Sequence, residues 1–227
     1  MFDAAYRDQE TLVRRLVAGG ETVRGWKIGA TSGAVQARLS TSEPFYAALL
    51  GGREVAAEGS VECGATAEVL LECEVAFVLE RHMSGPGVTG DMVQRCARGV
   101  RAAFDIIAVP ESKEPRSVVD VIRSNGSTLA FVLGAQEVDP RMHHPAQTTV
   151  VLRKGGEVLA QGTGRGVMGN PCAAVAWLAN RLGLRGSRIS AGQVVLSGSM
   201  TAPCSVAPGD ELEADFGDLG RLVVRFQ

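Results

Sequence analysis

The segment from Glu68 to Glu80, EVLLECEVAFVLE, constrains the fold more than any other part of the sequence. From Leu70 to Leu79 every residue is apolar except Glu72 and Glu74, and the content of Val, Phe and Leu predicts a buried β-strand. Residues two apart in a strand share one face of the sheet. We therefore expect the carboxylates of Glu72 and Glu74 to lie side by side on a face that is otherwise apolar.

Adjacent carboxylates in an apolar setting repel one another and lose hydration. A shared proton, a Lys or Arg side chain, or a divalent cation would offset this cost. The alternative is that the face is open to water and that both carboxylates are solvated, because alternating apolar and polar residues are typical of a half-exposed antiparallel sheet. The pattern leaves both interpretations open, although the apolar flanks Leu70, Ala76 and Val78 favour burial.

Two further charged residues are candidates for the same site. Lys27 lies between Trp26 and Ile28 just before a small-residue turn, where it either extends to the surface or meets an anion at a site edge. Asp105 follows apolar residues spaced three and four apart from residue 92 to residue 104, which predicts a helix that ends at Asp105. Asp105 is then either a solvated carboxylate at a helix end or a third acidic ligand. Three carboxylates suit Mg²⁺ or Mn²⁺, whereas zinc prefers His or Cys.

Composition points to a small-molecule partner. The chain of 227 residues has 25 acidic and 23 basic side chains and no basic run, which gives no electrostatic case for nucleic acid or an anionic membrane. No signal peptide is visible, and the longest apolar run, residues 172–179, is far too short to span a membrane. Five cysteines without a CxxC pair fit a reducing compartment, so we expect a cytoplasmic protein.

The order of elements predicts an irregular, largely antiparallel β fold with helices packed outside it. A helix is predicted over residues 3–18, loops over 43–50 and 111–116, and a helix over 172–182 that is capped by Asn170. We divide the chain into a small N-terminal helical cap segment, residues 1–50, and a β-rich catalytic domain, residues 51–227.

The stretch from Gly164 to Gly169 matches the GxGxxG pattern of a dinucleotide-binding loop. The preceding strand belongs to a predicted hairpin, however, and no acidic residue ends a strand about twenty residues further on, as ribose binding requires. A structural turn is therefore favoured over a nucleotide site.

The assembled motifs resemble the hydratase/decarboxylase branch of the fumarylacetoacetate hydrolase superfamily, which includes 2-keto-4-pentenoate hydratase and 4-oxalocrotonate decarboxylase. The matching stretches follow the family's order: GWKIGATS (25–32), LECEVAF (71–77), SNGS (124–127), GRGVMGNPCAAVAWLANRLG (164–183), AGQVVLSGSMTAP (191–203) and PGDELEADFGDLGRLVVRF (208–226). The resemblance implies an α+β fold with a mostly antiparallel β-sandwich or roll core and peripheral helices.

The resemblance also implies the site and its chemistry. The metal ligands would be Glu72, Glu74 and Asp105, binding Mg²⁺ or Mn²⁺. Lys27 and Ser127 would be catalytic and would also contact the substrate. The other implied substrate-binding residues are Ser32, Asn125 and Ser199. The implied activity is a metal-dependent lyase that hydrates or decarboxylates small 2-oxo or 2-hydroxydienoic acids through a metal-stabilised enolate. A homo-oligomer is expected, and a complex with a pathway partner is left open.

Two departures from the family pattern keep other functions open. After Pro44 the family has Asp-Phe-Gly, but residues 45–47 are Phe-Tyr-Ala, so an Asp that would handle protons is missing. Residues 108–110 are Ala-Val-Pro where the family has Asp-Ser-Arg. Phe45, Tyr46, Val109 and Pro110 would make the pocket less polar, which suits a diverged enzyme that cyclises or decarboxylates a larger biosynthetic substrate. Loss of the Asp would also allow a catalytically inactive structural subunit.

Overall fold

The computed structural model describes residues 2–64, 68–110 and 117–227. The predicted loop at 111–116 lies outside the described residues. The α-helices are α1 (Asp3–Ala18), α2 (Gly33–Arg38), α3 (Gly90–Cys96), α4 (Val118–Arg123) and α5 (Pro171–Leu184). The strands are β1 (Val23–Gly29), β2 (Phe45–Leu50), β3 (Glu54–Val55), β4 (Ser60–Val61), β5 (Glu68–Leu79), β6 (Ala97–Val109), β7 (Thr128–Leu133), β8 (Thr149–Lys154), β9 (Glu157–Thr163), β10 (Val194–Ser199), β11 (Cys204–Val206), β12 (Glu211–Asp215) and β13 (Arg221–Phe226).

The strands form two sheets. The larger sheet has the order β2-β1-β10-β5-β6-β7-β3, with β11 paired to β5, and the smaller has the order β4-β13-β12-β8-β9. Among the described residues, the β1–β10, β3–β7 and β4–β13 pairs are parallel and the other strand pairs are antiparallel. The predicted α+β class with a mostly antiparallel core and peripheral helices is confirmed.

The long antiparallel pair of β5 and β6 lies at the centre of the larger sheet. It runs in register from Glu68↔Val109 to Leu79↔Ala97, and both strands also pair with a neighbour on their other side. From Cys73 to Leu79 every residue of β5 is buried, as expected for a strand that is covered on both faces. The predicted strand is therefore confirmed, and it holds the Glu72–Glu74 pair at the core of the molecule.

The predicted helix ending at Asp105 is wrong beyond Cys96. Helix α3 ends at Cys96, and the chain continues directly into the 13-residue strand β6, which carries Asp105. Because β6 is flanked by β5 and β7 and is largely buried, its apolar residues do not alternate with polar ones. The spacing of Val100, Ala103 and Phe104 resembles that of a helix, but these residues belong to a largely buried strand.

The predicted loop over residues 43–50 is also wrong from Phe45 onward. These residues form the edge strand β2, in which all six side chains are buried. Helix α1 lies beside β2, where the Gln9 side-chain amide donates hydrogen bonds to Tyr46 O and Ile122 O, both at 3.0 Å. A continuous apolar run covered on both faces lacks the alternation by which a strand is usually predicted.

Helices α1 and α5 agree with the sequence-based prediction. Helix α1 spans the predicted residues 3–18, and Asn170 caps α5 by accepting a hydrogen bond from Cys172 N at 3.0 Å. The GxGxxG stretch forms a short 3-10 turn between β9 and α5, where a Cβ on Gly164 would lie 1.9 Å from Pro145 O. The glycine thus serves close backbone packing, as the structural interpretation predicted.

The division of the chain at residue 50 stays a prediction. Strands β1 and β2, which precede it, are hydrogen-bonded into the same sheet as β5 and β6. No helix within the described ranges is long and apolar enough to span a lipid bilayer.

Candidate active site and metal centre

Strands β5 and β6 bring three carboxylates together. Glu72 and Asp105 are register partners across the two strands, and Glu74 is two residues further along the face that carries Glu72. One carboxylate oxygen from each residue lies within 4.8 Å of the others. Glu74 and Asp105 are 1% and 0% exposed, and Glu72 is partly buried. The alternative of a solvated acidic face is therefore excluded for Glu74 and Asp105.

Lys27 is the cation in direct contact with this carboxylate cluster. Its side chain is buried, and Nζ forms an ion pair with Asp105 Oδ2 and donates a hydrogen bond to Gly126 O at 3.3 Å. Of the two interpretations that the sequence left open, the structure shows an internal cation that meets an anion. Lys27 lies on β1, where its backbone is paired with Leu196 of β10. Its side chain extends from there to Asp105 on β6.

The Glu74 carboxylate is fixed by the backbone at the end of β10. Glu74 Oε2 accepts a hydrogen bond from Gly198 N at 2.6 Å. Gly198 has a φ of +111°, and a Cβ there would lie 2.4 Å from Thr31 Oγ1. Glycine is therefore required by both conformation and space. The β10–β5 register shifts between Leu196 and Ser199, and this irregularity turns the Gly198 N–H toward the carboxylate.

The pKa values of all three carboxylates in the cluster are raised. Burial, followed by repulsion from Asp105, raises the pKa of Glu72 to about 7, and the same two causes raise the pKa of Glu74 well above its usual range. Burial also raises the pKa of Asp105, although Lys27 opposes this shift. Apart from the ion pair between Oδ2 and Lys27, the oxygens of Asp105 have no polar partner among the described residues.

This arrangement fits a divalent cation. When all three carboxylates are ionised, the cluster with one Lys has two excess negative charges, which one divalent ion would neutralise. The donors are all carboxylate oxygens, the ligand type that Mg²⁺ and Mn²⁺ prefer. Asp105 Oδ1, which has no partner among the described residues, is an oxygen that such an ion would bind. The residues present therefore fit the metal that the sequence predicted.

The turn over residues 124–127 supports Lys27 from the opposite side. The Asn125 amide is paired with the Ala48 backbone, accepting from N and donating to O, both at 2.8 Å. Asn125, Gly126 and Ser127 all have positive φ values, of 52°, 71° and 54°. This strained turn places Gly126 O against Lys27. The Asn125 side chain thus holds the turn to β2, and its predicted contact with substrate stays a prediction.

The other predicted substrate residues have local roles in the structure. Ser32 caps α2 by accepting a hydrogen bond from Val35 N at 3.4 Å. Ser199 Oγ donates to Thr201 O at 2.8 Å and accepts from Thr201 N at 3.3 Å, beside its register partner Glu74. Ser127 Oγ lies 2.9 Å from Ser124 Oγ. Their roles in binding substrate, and that of Ser127 in catalysis, stay predictions.

A cavity of about 400 Å³ opens onto the carboxylate cluster. Strands β5 and β6 line one side, where Glu72 is followed by the register pairs Leu70–Ile107 and Glu68–Val109. At about 3.3 Å per residue, this side extends roughly 13 Å from Glu72 to Glu68. The described lining residues are Lys27, Gly29, Ala30, Val35, Arg38, Leu39, Phe45, Glu68, Leu70, Glu72, Ile107, Val109, Pro110, Val121 and Gly126. The cavity is thus polar at the cluster and apolar in the middle.

The predicted decrease in polarity is seen at Phe45, Val109 and Pro110, which all line the cavity. The Phe45 ring packs against Gly29, where an added Cβ would come within 2.2 Å of the ring. Tyr46 points elsewhere, because its ring stacks on Tyr6 with centroids 4.2 Å apart. The position where the family pattern has an Asp therefore contributes an apolar wall.

Two functional candidates were not found from the sequence. The Gly198 N–H that holds Glu74 depends on an irregular strand pairing that no local pattern marks. Arg38 lines the cavity and lowers the pKa of Glu72 through its charge. A signal for Arg38 existed, since Val35, Arg38 and Leu39 are spaced as one face of a helix and all three line the cavity.

Comparisons with known proteins give the family of this chain. A family model for the fumarylacetoacetate (FAA) hydrolase C-terminal domain matches residues 45–227. The 2-oxo-hept-4-ene-1,7-dioate hydratase of Escherichia coli is 33% identical over 98% of this chain and 85% of its own. The 4-oxalocrotonate decarboxylase of Pseudomonas sp. strain CF600 is 32% identical over 99% of this chain and 85% of its own.

A solved structure extends the similarity to three dimensions. The 4-oxalocrotonate decarboxylase from Pseudomonas putida G7, complexed with magnesium and adipate, superimposes with a TM-score of 0.96 at 31% identity and covers 100% of this chain and 86% of its own. The named relatives are hydratases and decarboxylases, which are lyases. The chain therefore belongs to the fumarylacetoacetate hydrolase family, as its sequence motifs indicated.

Proposed function

We propose that this protein is a divalent-metal-dependent lyase that hydrates or decarboxylates small 2-oxo or 2-hydroxydienoic acids. The buried carboxylate cluster of Glu72, Glu74 and Asp105, with Lys27 beside it at the inner end of a cavity, carries the proposal. The relatives that act on such acids support the substrate class. Mg²⁺ or Mn²⁺ is the proposed ion, because the donor set consists of carboxylate oxygens.

The metal would supply Lewis-acid stabilisation of negative charge that develops on the 2-oxygen of the substrate. Lys27 adds a fixed positive charge at the same end of the cavity, in a buried setting where such a charge is effective. Its contacts with Asp105 and Gly126 O hold the ammonium in place without a rearrangement during the reaction. The hydrogen bond from Gly198 N likewise holds the Glu74 carboxylate in place.

The apolar middle of the cavity would hold the diene. Leu70 and Ile107 on one side and Phe45 in the wall offer contacts to carbon and exclude water from the conjugated chain. Exclusion of water strengthens the interaction between Lys27 and a developing enolate. The polar end and the apolar middle thus match the two halves of a 2-oxo acid that bears an alkene.

Loss of dienol absorbance tests the proposal, with hydroxydienoates and 4-oxalocrotonate as substrates and with Mg²⁺ or Mn²⁺ added to metal-free protein. We expect metal-dependent turnover in the wild type and a loss of at least about 100-fold in Glu72→Gln and Lys27→Met, since each removes a charge at the reacting end. Glu68→Gln is the matched control, because Glu68 lies in the same cavity but outside the carboxylate cluster. Absence of turnover with every substrate, or full activity in Glu72→Gln, would contradict the proposal.

We extend the proposal to a cytoplasmic location and a homo-oligomeric state, as the sequence analysis expected. Light scattering of the purified protein measures its oligomeric state, and a monomeric mass would contradict it. Cell fractionation measures its location. Association with a pathway partner would appear as an additional protein in the same purification.

A further inference from the structure

The cavity at the carboxylate cluster is larger than the smallest substrate of the proposed class requires. Its volume is about 400 Å³, which is within the usual range for sites that bind small molecules. At about 30 Å³ per non-hydrogen atom, the share of one molecule in liquid water, a five-carbon 2-hydroxydienoate would fill about 240 Å³. The space that remains accommodates about five or six further carbon atoms.

Apolar side chains that the protein itself does not fully cover surround this space. Leu70 and Ile107 are register partners on β5 and β6, at the centre of the larger sheet, and Val109 follows Ile107 on the same face. All three line the cavity and are only partly buried, whereas every residue of β5 from Cys73 to Leu79 is buried. A ligand with an apolar surface would remove these side chains from water, which is favourable. The other half-buried apolar side chains of the lining from α2 and α4 are Val35, Leu39 and Val121.

The charges of the cavity lining favour an apolar group over a second carboxylate at the outer end. Among the described lining residues the cations are Lys27 and Arg38. Lys27 is paired with Asp105, and the charge of Arg38 opposes the rise in the pKa of Glu72, so both act on the carboxylate cluster. Glu68, at the other end of the β5 side, is an exposed anion that forms no ion pair with a described residue. A carboxylate on the far end of a substrate would therefore meet negative charge there, whereas an apolar group is not repelled.

Given the proposed function, we propose that the substrate carries an apolar tail of about the size of a phenyl ring on the carbon chain beyond the diene. The 2-oxo acid end lies at the carboxylate cluster, the diene along Leu70 and Ile107, and the tail on Val109. The β5 side, roughly 13 Å long, accommodates the diene and the tail together. The substrate class is thus 2-oxo or 2-hydroxydienoic acids with an aryl or alkyl substituent, and a shorter acid leaves the outer part of the cavity unfilled.

The expected gain in affinity follows from the apolar area that the tail buries. Full burial of a side chain of the size of Phe corresponds to about a 10- to 100-fold change in an equilibrium constant. Val109 is only half-buried and Pro110 beside it is exposed, so the tail is not fully covered and we expect a gain of about 10-fold. This gain should not depend on ionic strength, because it involves no charge.

Calorimetry on the Mn²⁺-loaded protein tests the inference with four probes. Oxalate and pyruvate occupy the metal end alone, 2-oxo-4-phenylbutanoate adds an aryl tail, and 2-oxoadipate adds a carboxylate tail. We expect 2-oxo-4-phenylbutanoate to bind about 10-fold more tightly than pyruvate or 2-oxoadipate. Val109→Arg should reduce the ratio of the affinities for 2-oxo-4-phenylbutanoate and pyruvate to about one and should strengthen the binding of 2-oxoadipate. Val109→Leu should retain the wild-type preference.

Leu159→Arg is the matched control, because Leu159 is an exposed apolar residue of β9 outside the cavity lining, and its affinities should equal those of the wild type. Oxalate binding with equal affinities for pyruvate and 2-oxo-4-phenylbutanoate would overturn the inference and leave the proposed function standing. Tighter binding of 2-oxoadipate than of 2-oxo-4-phenylbutanoate, or an undiminished preference in Val109→Arg, would overturn it as well. Failure of the Mn²⁺-loaded wild type to bind oxalate would contradict the proposed function itself, and the inference with it.

Discussion

Replacement of Lys27 by Met tests how much the Lys27 charge offsets the burial and mutual repulsion of the carboxylates in the cluster. Met has a similar length and can fill the space of the Lys stem, so the change removes mainly the charge and its hydrogen bond to Gly126 O. Three buried carboxylates then remain without a cation in contact. Removal of one partner from a buried ion pair costs about 3 to 5 kcal/mol of unfolding free energy.

Proton uptake limits this cost at low pH. Burial raises the pKa of Glu72 to about 7 and raises that of Glu74 well above its usual range, so the carboxylate cluster can take up protons when Lys27 is absent. For metal-free Lys27→Met we therefore expect a loss of about 3 to 5 kcal/mol at pH 8 and a clearly smaller loss at pH 6. A divalent metal should stabilise Lys27→Met more than it stabilises the wild type, because Lys27 no longer repels the ion or competes for Asp105.

Urea unfolding at pH 6 and pH 8, with EDTA or with excess Mn²⁺, measures these differences. Lys154→Met is the matched control, since the exposed Lys154 forms an ion pair with the partly buried Asp210 at 2.6 Å and its loss should cost no more than about 1 kcal/mol. A loss below about 1 kcal/mol at pH 8 for Lys27→Met would refute the reasoning. A smaller stabilisation by Mn²⁺ in Lys27→Met than in the wild type would refute it equally.

Three further predictions follow from the geometry. The native pKa of Glu72, about 7 against 4.5 for a free Glu, means that the folded metal-free protein binds this proton more tightly than the unfolded chain does, so stability should fall as pH rises from 4.5 to 7; thermal unfolding in EDTA should show this fall reduced in Glu72→Gln. Gly126→Ala would place a Cβ 2.8 Å from Ala47 Cβ and should cost about 1 to 3 kcal/mol more than Gly155→Ala, whose Cβ meets nothing within 4 Å at a similarly positive φ; equal unfolding free energies would contradict this. Asn125→Ala removes two buried hydrogen bonds and should cost about 2 kcal/mol in urea unfolding, so an unchanged midpoint would argue against the proposed support of the turn.

The sequence predicted the strand that carries Glu72 and Glu74 because a carboxylate pair in an apolar run has few stable environments. Asp105 was predicted to join Glu72 and Glu74, and the structure brings the three together, but it was assigned to the wrong element. Its strand, β6, is largely buried, so the alternation that distinguishes a strand from a helix is missing. Strand β2 was assigned to a loop for the same reason.

Other features of the site depend on contacts between residues that are distant in sequence. The choice between a surface Lys27 and an internal one is made by β6 and by the turn that contains Gly126, about 80 and 100 positions away. Hydrogen bonding of Gly198 to Glu74 depends on a register shift in β10. Local propensity carries no information about such contacts, whereas the family motifs did mark the segments that contain Lys27, Gly126, Glu74 and Gly198.

Mn²⁺ binding to the metal-free protein tests the central claim most directly. Calorimetry on the wild type, on Glu72→Gln and on Glu68→Gln, with and without oxalate, compares the carboxylate cluster with a carboxylate in the same cavity that is not part of it. The account predicts one Mn²⁺ per chain in the wild type and in Glu68→Gln, tighter binding with oxalate, and strongly weakened binding in Glu72→Gln. Absence of Mn²⁺ binding in the wild type, or equal binding in Glu72→Gln, would contradict the assignment of a metal site and would favour a structural subunit without catalytic activity.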